Sequence, residues 1–436
     1  MALLLAGAAL WASAVAVFMA RTGKLPLNAD APQHAVVTGP YQLLDDPIYV
    51  GFVLAVLGAA VCAGSAPGVW IVTPVTAAAT AALVMGYESR SRPQRPRRAR
   101  LSWPDPSRPR LRVAATGVVA TVPLAVLAAF GCAASWLHGL AVRSATRIAN
   151  SWTAVRLGPL RIINYAIYAA LAAAGGTLVF ELAAPGPSAA MAALIVAATV
   201  LGGGVWGKLL ESTGRLARPF GYFGAFLGGV FGVFAASRIW GVPVLMLGAC
   251  VALAATWTQA VGRLRCLVQG CCHGRLVPCG NGICYRRAES RAVALAGLRD
   301  QPLYPTPVFS IYANLFAAVL LVRLYLAQQD ASALLAAYLA IAGLSRFAEE
   351  GFRGEATVRR WRGLSMYQWL ALGQLAAAAV VGLMASPPLP ALAPLAPMEW
   401  LVVLLAALGA GFAMGADFPD LDAPLARLTP ASAEDR

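Results

Sequence analysis

Residues 240–274 decide the fold of this chain: WGVPVLMLGACVALAATWTQAVGRLRCLVQGCCHG. The first part, 240–260, is an apolar run long enough to cross the hydrocarbon core of a bilayer, which takes roughly 20 residues in a helix. The last part, 262–274, carries two arginines, three cysteines and one of the three histidines of the chain. This pattern predicts a membrane span with a cationic, thiol-rich loop at one end.

The rest of the chain has the same apolar character. Its 436 residues have a mean hydropathy of +0.68, with 59% hydrophobic and 12% charged residues, which excludes a soluble globular protein. We predict an all-α polytopic membrane protein of about 12 transmembrane helices in two bodies, of about four and about eight, with a small outer-face loop domain. The predicted spans are 2–20, 49–66, 68–86, 113–136, 163–183, 187–205, 220–237, 240–260, 307–326, 332–345, 368–385 and 397–416.

Charge in the loops predicts the orientation of these spans. The net charge is +15, and a basic cluster follows the third span: Arg90, Arg92, Arg95, Arg97, Arg98, Arg100, Arg108, Arg110 and Arg112. Short basic loops stay cytoplasmic, so the N-terminus is predicted outside, and the first span reads as an uncleaved anchor. We expect this basic cluster to set topology, not to bind nucleic acid.

Alternation of the spans then places the loop at 262–274 on the outer side, together with a further group of arginines around 346–362. Arginines held on the outer face run against the positive-inside bias. An anionic ligand at the outer leaflet gives a physical reason for them, because guanidinium groups match phosphate oxygens in pairs.

One motif stands out in the N-terminal body, VVTGPYQLLDDPIYVGFVLAVLG at 36–58. Its TGPY and P-x-Y-x-G parts resemble the isoprenylcysteine carboxyl methyltransferase and phospholipid methyltransferase group. That resemblance implies S-adenosylmethionine as a cofactor, with Tyr41, Tyr49 and Glu88 as the positions that would contact it. However, Asp45 and Asp46 stand where the group has Arg and His, and two carboxylates repel the carboxylate of the cofactor. We therefore expect no cofactor unless this body is active.

Four motifs follow one another in the second body. The first three are GPLRIINYAIY at 158–168, GYFGAFLGG at 221–229 and the loop at 262–274, and the fourth is a set of three short stretches between 304 and 372, namely YPTPVFSIYANL, GLSRFAEEGFR and GLSMYQWLAL. In this order they resemble the prolipoprotein diacylglyceryl transferase family. Arg346, Phe347, Glu350 and Arg353 match its Arg-Phe-x-x-Glu-x-x-Arg motif at full spacing.

The resemblance implies a reaction at the outer face of the plasma membrane. The diacylglyceryl group of phosphatidylglycerol moves to the cysteine thiol of an exported lipoprotein precursor, and glycerol phosphate leaves. Arg263 and Arg346 would grip the phosphate while Glu350 holds an arginine in place, and the helical period puts Arg346, Glu350 and Arg353 on one face. The same residues could instead form a salt-bridged helix end. The expected catalytic residues are Arg263, Arg346, Glu350, His273 and Tyr165, and the expected substrate-binding residues are Gly262, Gln269, Gly270, Gly274, Arg353, Gly224 and Tyr222.

The chain departs from the family at polar positions. Phe223 stands where a histidine helps to position or activate the thiol, and a phenylalanine cannot accept a proton. Tyr222 and His273 are the nearest replacements along the sequence. Gln269 replaces an asparagine, Arg265 replaces a glycine, and Tyr304, Pro307 and Ser310 stand where His, Gln and Glu are expected.

The cysteines of the loop leave several readings open. Cys266, Cys271, Cys272, Cys279 and Cys284, with His273, could supply soft metal ligands, and an outer-face loop also permits disulfides. The spacing matches no standard zinc motif and adjacent cysteines do not readily share one tetrahedral ion, so we predict no metal. A disulfide from the loop to Cys279 or Cys284 and reduced, packed thiols remain the alternatives.

These expectations define five segments. They are a methyltransferase-like region at 1–140, a linker at 141–162, a diacylglyceryl-transferase-like domain at 163–385, an extra helix at 386–416 and an acidic, disordered tail at 417–436. The leading hypothesis is a phospholipid-dependent transferase. The alternatives are a non-catalytic membrane protein that binds anionic lipid, and a membrane methyltransferase that acts through its N-terminal half.

Overall fold

The structure is a computed structural model of the chain. It describes residues 1–22, 36, 38–42, 44, 46–65, 68–73, 76–77, 79–80, 84, 138–211, 220–277, 282–354, 360–421 and 426–428. The chain divides into two compact units, Met1–Ser144 and Ala145–Arg436. The described residues are mostly helical, as the apolar runs predict.

Among the described residues of the first unit, α1 (Ala2–Thr22) and α2 (Pro47–Cys62) are two helices that pack on each other. A 3₁₀ turn at Gly39–Gln42 precedes α2, and a π-helical turn at Gly68–Val72 follows it. Glycines bring α1 and α2 together, since a Cβ added at Gly58 would overlap the backbone of Leu4. Close packing at small residues is the usual way in which membrane helices associate.

The described residues of the second unit form eight long helices. They are α3 (Ala166–Ala183), α4 (Ser188–Trp206), α5 (Tyr222–Trp240), α6 (Val244–Gln269), α7 (Thr306–Leu326), α8 (Ala331–Glu350), α9 (Met366–Gly382) and α10 (Pro397–Gly415). A π-helical turn, Gly207–Glu211, continues α4, and Arg291–Ala294 forms a single helical turn. The long helix α6 packs against α3, α7 and α8, which places it at the centre of this unit.

Local sequence signals set several helix ends. Proline occupies the first turn of α7 and α10, where its missing N–H costs nothing. At the start of α9, Ser365 and Gln368 form a reciprocal capping box. Helices α5 and α6 both end at a left-handed glycine, Gly241 and Gly270, with φ of 69° and 67°.

Short strands join the ends of the second unit. Strands β1 (Ala154–Leu157) and β2 (Leu160–Ile163) form an antiparallel hairpin, and β5 (Ala416–Asp417) pairs with β2 through Arg161 and Ile162. A second small hairpin joins β3 (Arg360–Trp361) to β4 (Leu364–Ser365). The stretch expected to be a linker, 141–162, therefore holds structure, with helix at 138–149 and most of the first hairpin.

The expected disordered tail from 417 is ordered where the structure describes it at its start. Asp417 is fully buried in β5, and Ala426 and Leu428 are also buried. The backbone N–H of Leu428 donates a hydrogen bond of 2.8 Å to Asp417 Oδ2, which ties this segment to the sheet. The ion pair of Asp417 with Arg161 and the packing of Leu428 against Ile163 and Tyr165 hold these residues, although the segment has the composition of a solvated tail.

Eight helices among the described residues are long and apolar enough to cross a membrane. They are α1, α3, α4 with the turn after it, α5, α6, α7, α8 and α10, and the shorter apolar helices are α2 and α9. The protein is thus a multi-pass helical membrane protein by length and composition. Of the twelve predicted spans, 68–86 lies partly and 113–136 wholly outside the described residues.

Candidate active site between helices α6, α7 and α8

The last turn of α8 carries the residues that the Arg-x-x-Glu-x-x-Arg pattern singled out. Arg346 is 4% exposed, and its Nη1 lies 3.2 Å from Glu349 Oε1 while its Nη2 lies 3.3 Å from Glu350 Oε2. Residues three and four positions apart face the same side of a helix, so one guanidinium reaches both carboxylates. The structure thus brings Arg346 and Glu350 together, with Glu349 beside them.

Glu349 connects three helices. Arg263 on α6 reaches it with Nη2, 3.5 Å from Glu349 Oε2, and the hydroxyl of Ser310 on α7 donates a hydrogen bond to the same oxygen. Sequence reasoning gave the arginine-holding role to Glu350 and missed Glu349. Both glutamates stand next to each other in the motif, and only the packing of α6 and α7 against α8 distinguishes them.

Arg263, Arg346 and Glu349 line a narrow cavity between the helices. The polar side chains around it include Gln259, Asn314, Tyr338 and Ser345, and the Gln259 amide donates a hydrogen bond to the Tyr338 hydroxyl. Arg346 Nε is buried and has no hydrogen-bond acceptor within the part of the chain that the structure describes. A buried guanidinium N–H that has no acceptor can donate a hydrogen bond to an anionic ligand.

Aromatic rings support the guanidinium of Arg346 from the other side. Its Cζ lies 5.2 Å from the ring centroid of Tyr367, 5.8 Å from that of Tyr222 and 6.0 Å from that of Phe223. Phe223 stacks on Tyr367 at 5.5 Å with an interplanar angle of 9°. The position where the family has a histidine therefore packs as part of an aromatic support for Arg346, and it supplies no proton acceptor.

The loop after α6 folds back onto the segment after α8. Gly274 and Arg353 form an antiparallel bridge, and the N–H of Arg275 donates to the carbonyl of Phe352 at 2.8 Å. A Cβ at Gly274 would overlap Tyr304, so only glycine fits there. This pairing places Arg353 next to the loop, in the neighbourhood of the cluster but not among the residues that line the cavity.

His273 is buried in this loop and lies outside the cavity lining. Its Nδ1 is 3.1 Å from the carbonyl oxygen of Gly274, and its own carbonyl accepts the N–H of Gly354. Gln269 is also buried, and its Nε2 has no partner among the described residues. A Cβ at Gly270 would meet the Ser290 hydroxyl. The loop glycines allow tight turns here, and neither His273 nor Gln269 lines the cavity.

Two further expected glycines sit at helix contacts. A Cβ at Gly224 would overlap Trp206, which indicates close packing of α5 on α4, whereas a Cβ at Gly262 would meet only Ala172, at 3.8 Å. Gly224 is one residue from Phe223, so this close packing fixes the start of α5 under the aromatic rings.

Tyr165 lies apart from the cavity. It is fully buried at the start of α3, packed with Ile163, Val268 and Leu428, and the guanidinium of Arg265 lies 5.3 Å from its ring centroid. Its hydroxyl has no hydrogen-bond partner among the described residues. Burial raises the pKa of Tyr165 to about 12.

The described cysteines of the loop are free thiols in this structure, as is Cys284, which agrees with the alternative of reduced thiols and not with that of a disulfide to Cys284. Cys279 lies outside the described residues. The sulfur atoms of Cys266, Cys271 and Cys272 all lie within 4.8 Å of one another. They are thus close together, although Cys271 and Cys272 are adjacent in the sequence and adjacent cysteines were not expected to share one metal ion. Burial raises the pKa of the nearby Tyr285, and the thiols of Cys271 and Cys272 raise it further.

In the N-terminal unit, Tyr41 is buried in the 3₁₀ turn with Ala14 and Val36, and its ring centroid lies 6.4 Å from that of Phe18. Tyr49 lies in the first turn of α2. The third expected cofactor contact, Glu88, and Asp45 of the motif lie outside the described residues. The structure therefore describes two of the three positions expected to contact the cofactor, Tyr41 and Tyr49.

The fold and the site define a class: a multi-pass helical membrane protein with buried, carboxylate-held arginines at a polar cavity. Comparison with known families is more specific, because residues 152–384 match the model of prolipoprotein diacylglyceryl transferase, and the chain belongs to this family of transferases. Residues 1–89 match the phospholipid methyltransferase model.

A curated relative agrees with this assignment. The chain is 27% identical over 172 residues to phosphatidylglycerol–prolipoprotein diacylglyceryl transferase 2 of Clostridium perfringens (strain 13 / Type A). The match covers 37% of this chain and 65% of the relative. The family assignment confirms the resemblance drawn from the motifs in both halves of the chain.

Proposed function

We propose that this chain is an enzyme that transfers the diacylglyceryl group of phosphatidylglycerol to the cysteine thiol of an exported lipoprotein precursor, or of a related acceptor. The observation that carries the proposal is the convergence of Arg263 and Arg346, from two different helices, on Glu349 at the cavity. The names of the family and of the clostridial relative support the choice of lipid and acceptor.

The charges of the cluster suit a phosphodiester. Two guanidiniums and two carboxylates balance each other while the site is empty, which limits the cost of burying them. Each guanidinium has five N–H donors, so it can keep a carboxylate contact and still bind phosphate oxygens. The free Nε–H of Arg346 is one such donor. The cavity is narrow, so we expect side chains to shift as a headgroup binds.

The reaction asks these residues to stabilise a leaving group. The acceptor sulfur attacks the glyceryl carbon, a C–S bond forms, and the C–O bond to phosphate breaks with its electron pair going to the phosphate oxygen. Negative charge therefore grows on glycerol phosphate in the transition state. Arginines held in advance at that position stabilise this charge without reorganising, which is worth about 10²–10³ in rate for one donor in other enzymes.

We also propose the finer architecture that the sequence predicts. The protein has about 12 spans in the plasma membrane, with its N-terminus and the loop at 262–274 on the outer side. The regions at 1–140 and 163–385 form the methyltransferase-like and transferase-like parts. An acceptor that is exported before modification meets the outer face, which agrees with placing the arginine site near that loop.

The test is a reconstituted transfer assay. The full chain is placed in liposomes that contain phosphatidylglycerol with labelled acyl chains, and a lipobox peptide with one cysteine is added. Arg263→Ala and Arg346→Ala are compared with Arg238→Ala, an exposed arginine on α5 that stacks on Phe234. Label on the peptide thiol that disappears in the first two variants and persists in Arg238→Ala supports the proposal.

The replacement of the family histidine by Phe223 favours one other candidate, a non-catalytic binder of anionic lipid. The same experiment separates the two functions. If no label moves, but phosphatidylglycerol co-purifies with the wild type and is lost in Arg263→Ala and Arg346→Ala, the protein binds lipid without transferring it, and the transferase proposal is wrong.

A further inference from the structure

Three thiols converge at the end of α6, beside the arginine cluster. Cys266 lies in the last turn of the helix, and the N–H of the left-handed Gly270 donates to its carbonyl at 2.9 Å. This reversal brings Cys271 and Cys272 back against Cys266, with 3.8 Å between the Sγ atoms of Cys271 and Cys272. All three sulfurs lie within 4.8 Å of one another, and the group contains no other His, Cys, Asp or Glu of the described chain.

The spacing of these sulfurs matches coordination better than covalent pairing. A disulfide needs about 2.05 Å between sulfurs. Thiolates bound to zinc at about 2.3 Å in a tetrahedron lie about 3.8 Å apart. The 3.8 Å between the sulfurs of Cys271 and Cys272 matches the second value, and Cys266 Sγ lies within 4.8 Å of both.

The surroundings supply what three thiolates on a divalent ion require. Arg263 Nη1 donates to Cys272 Sγ at 3.4 Å, so a cation lies against a group that would carry one net negative charge. The hydroxyl of Tyr285 is buried close to all three thiols and has no partner among the described residues. Such donors around metal-bound sulfur are the usual supporting shell of a thiolate site.

We propose that Cys266, Cys271 and Cys272 bind a divalent zinc-class ion, whose fourth position takes the thiol of the acceptor. The second half of this proposal rests on the proposed transferase function. Three protein ligands with one exchangeable position are typical of catalytic zinc sites, whereas structural sites are closed by four protein ligands.

The chemistry balances without an oxidant or reductant. The acceptor thiol binds the ion and releases its proton to water, since a coordinated thiol is deprotonated at neutral pH. The bound thiolate then attacks the glyceryl carbon, and the electron pair of the broken C–O bond leaves with glycerol phosphate. The ion keeps its oxidation state, and product release restores the open position.

A bound ion would activate the acceptor thiol, a role that neither residue expected for it fills. Phe223 cannot accept the thiol proton, and His273 does not line the cavity. Arg263 contacts both Cys272 and Glu349, so one side chain joins the thiol group to the phosphate-binding group. A metal-bound nucleophile and the phosphate of the donor lipid would therefore meet at Arg263.

The first measurement is the zinc content of the full chain, purified in detergent under reducing conditions. We expect about one zinc ion per chain, and an affinity at least about tenfold lower in Cys266→Ser, Cys271→Ser and Cys272→Ser. Cys284→Ser is the matched control, since Cys284 lies outside the group. Variants that fail to fold are recognised by gel filtration, and the wild type is then tested by displacement of its zinc with a mercurial.

The second measurement replaces zinc by cobalt, whose visible spectrum reports ligands. A lipobox cysteine peptide is expected to shift the spectrum, and the same peptide with serine is not. Zinc absent from the wild type, or equally bound by the three variants and Cys284→Ser, overturns the metal site. A spectrum unchanged by the cysteine peptide overturns the exchangeable position. Neither result depends on transfer activity, so a bound metal and thiol with no lipid transfer would count against the transferase alone.

Discussion

Two buried ion-pair groups in the second unit use their hydrogen-bonding capacity differently. Asp417 accepts both Nε and Nη2 of Arg161, at 2.9 and 2.7 Å, and also the N–H of Leu428, so its two oxygens are well occupied. In the cluster of Arg263, Arg346, Glu349 and Glu350, the longer contacts of 3.2–3.5 Å leave Arg346 Nε without an acceptor. A saturated pair holds a fold together, whereas an unsaturated one is equipped to bind.

The location of each group agrees with this distinction. The pair of Arg161 and Asp417 joins β2 to β5 and does not line the cavity, whereas Arg263, Arg346 and Glu349 do. The difference predicts that substitutions in the first group change stability and that substitutions in the second change transfer.

The largest effect on stability is expected for Asp417→Ala. The change leaves Arg161 half-buried without its carboxylate and frees Leu428, which costs about 3–5 kcal/mol of unfolding free energy, as for other broken buried pairs. Thermal unfolding in detergent measures it. The matched control is Asp420→Ala, an exposed partner 3.7 Å from Arg156, for which we expect a change within about 1 kcal/mol. Equal effects of the two changes would remove the basis for calling Asp417 structural.

The next effect is on catalysis, in Arg346→Lys. Lysine keeps the charge but loses the planar fork and the free Nε–H, so we expect kcat/KM for lipid transfer to fall about 100-fold or more. Arg238→Lys, at the exposed arginine of α5, serves as the control and should stay within about twofold of the wild type. A variant at position 346 that transfers lipid normally would show that the site needs only a positive charge.

A smaller effect separates the two adjacent carboxylates. Glu349 contacts Arg263, Arg346 and Ser310 and so joins three helices, whereas the ion pair of Glu350 with Arg346 lies within α8. We therefore expect Glu349→Gln to lower kcat/KM about tenfold more than Glu350→Gln, a difference of about 1.4 kcal/mol. The two variants differ by one position in the same helix and serve as controls for each other. The reverse order would return the positioning role to Glu350.

The sequence predicted the parts of this site that depend on local spacing. Apolar runs predicted the helices, and the three- and four-residue spacing on α8 predicted that Arg346 and Glu350 meet. It could not assign Glu349, because the contact with Arg263 joins residues 86 positions apart and depends on how α6 packs on α8. The convergence of Cys266 with Cys271 and Cys272 depends in the same way on a left-handed backbone at Gly270, which a cysteine count does not reveal.

The smallest effect is expected at Tyr165, where motif resemblance and structure point in different directions. The family resemblance implies a catalytic role, yet Tyr165 packs beside Leu428 in the structural region and does not line the cavity. Its buried hydroxyl lacks a partner, so Tyr165→Phe removes an uncompensated desolvation cost and should raise stability at neutral pH by about 1 kcal/mol. Transfer activity should stay within about twofold of the wild type.

Alkaline pH gives an independent readout of the same residue. The pKa of Tyr165 is about 12 in the folded protein, against an ordinary value of 10.0, so between these limits the unfolded chain loses the proton first. The stability contributed by this group is present below pH 10 and is lost as the pH rises towards 12. Tyr165→Phe should therefore remove this part of the dependence of the unfolding free energy on pH. The variant could instead keep this pH dependence and lose transfer. Tyr165 would then act in the reaction, and the unsaturated binding site would include it together with the arginine cluster.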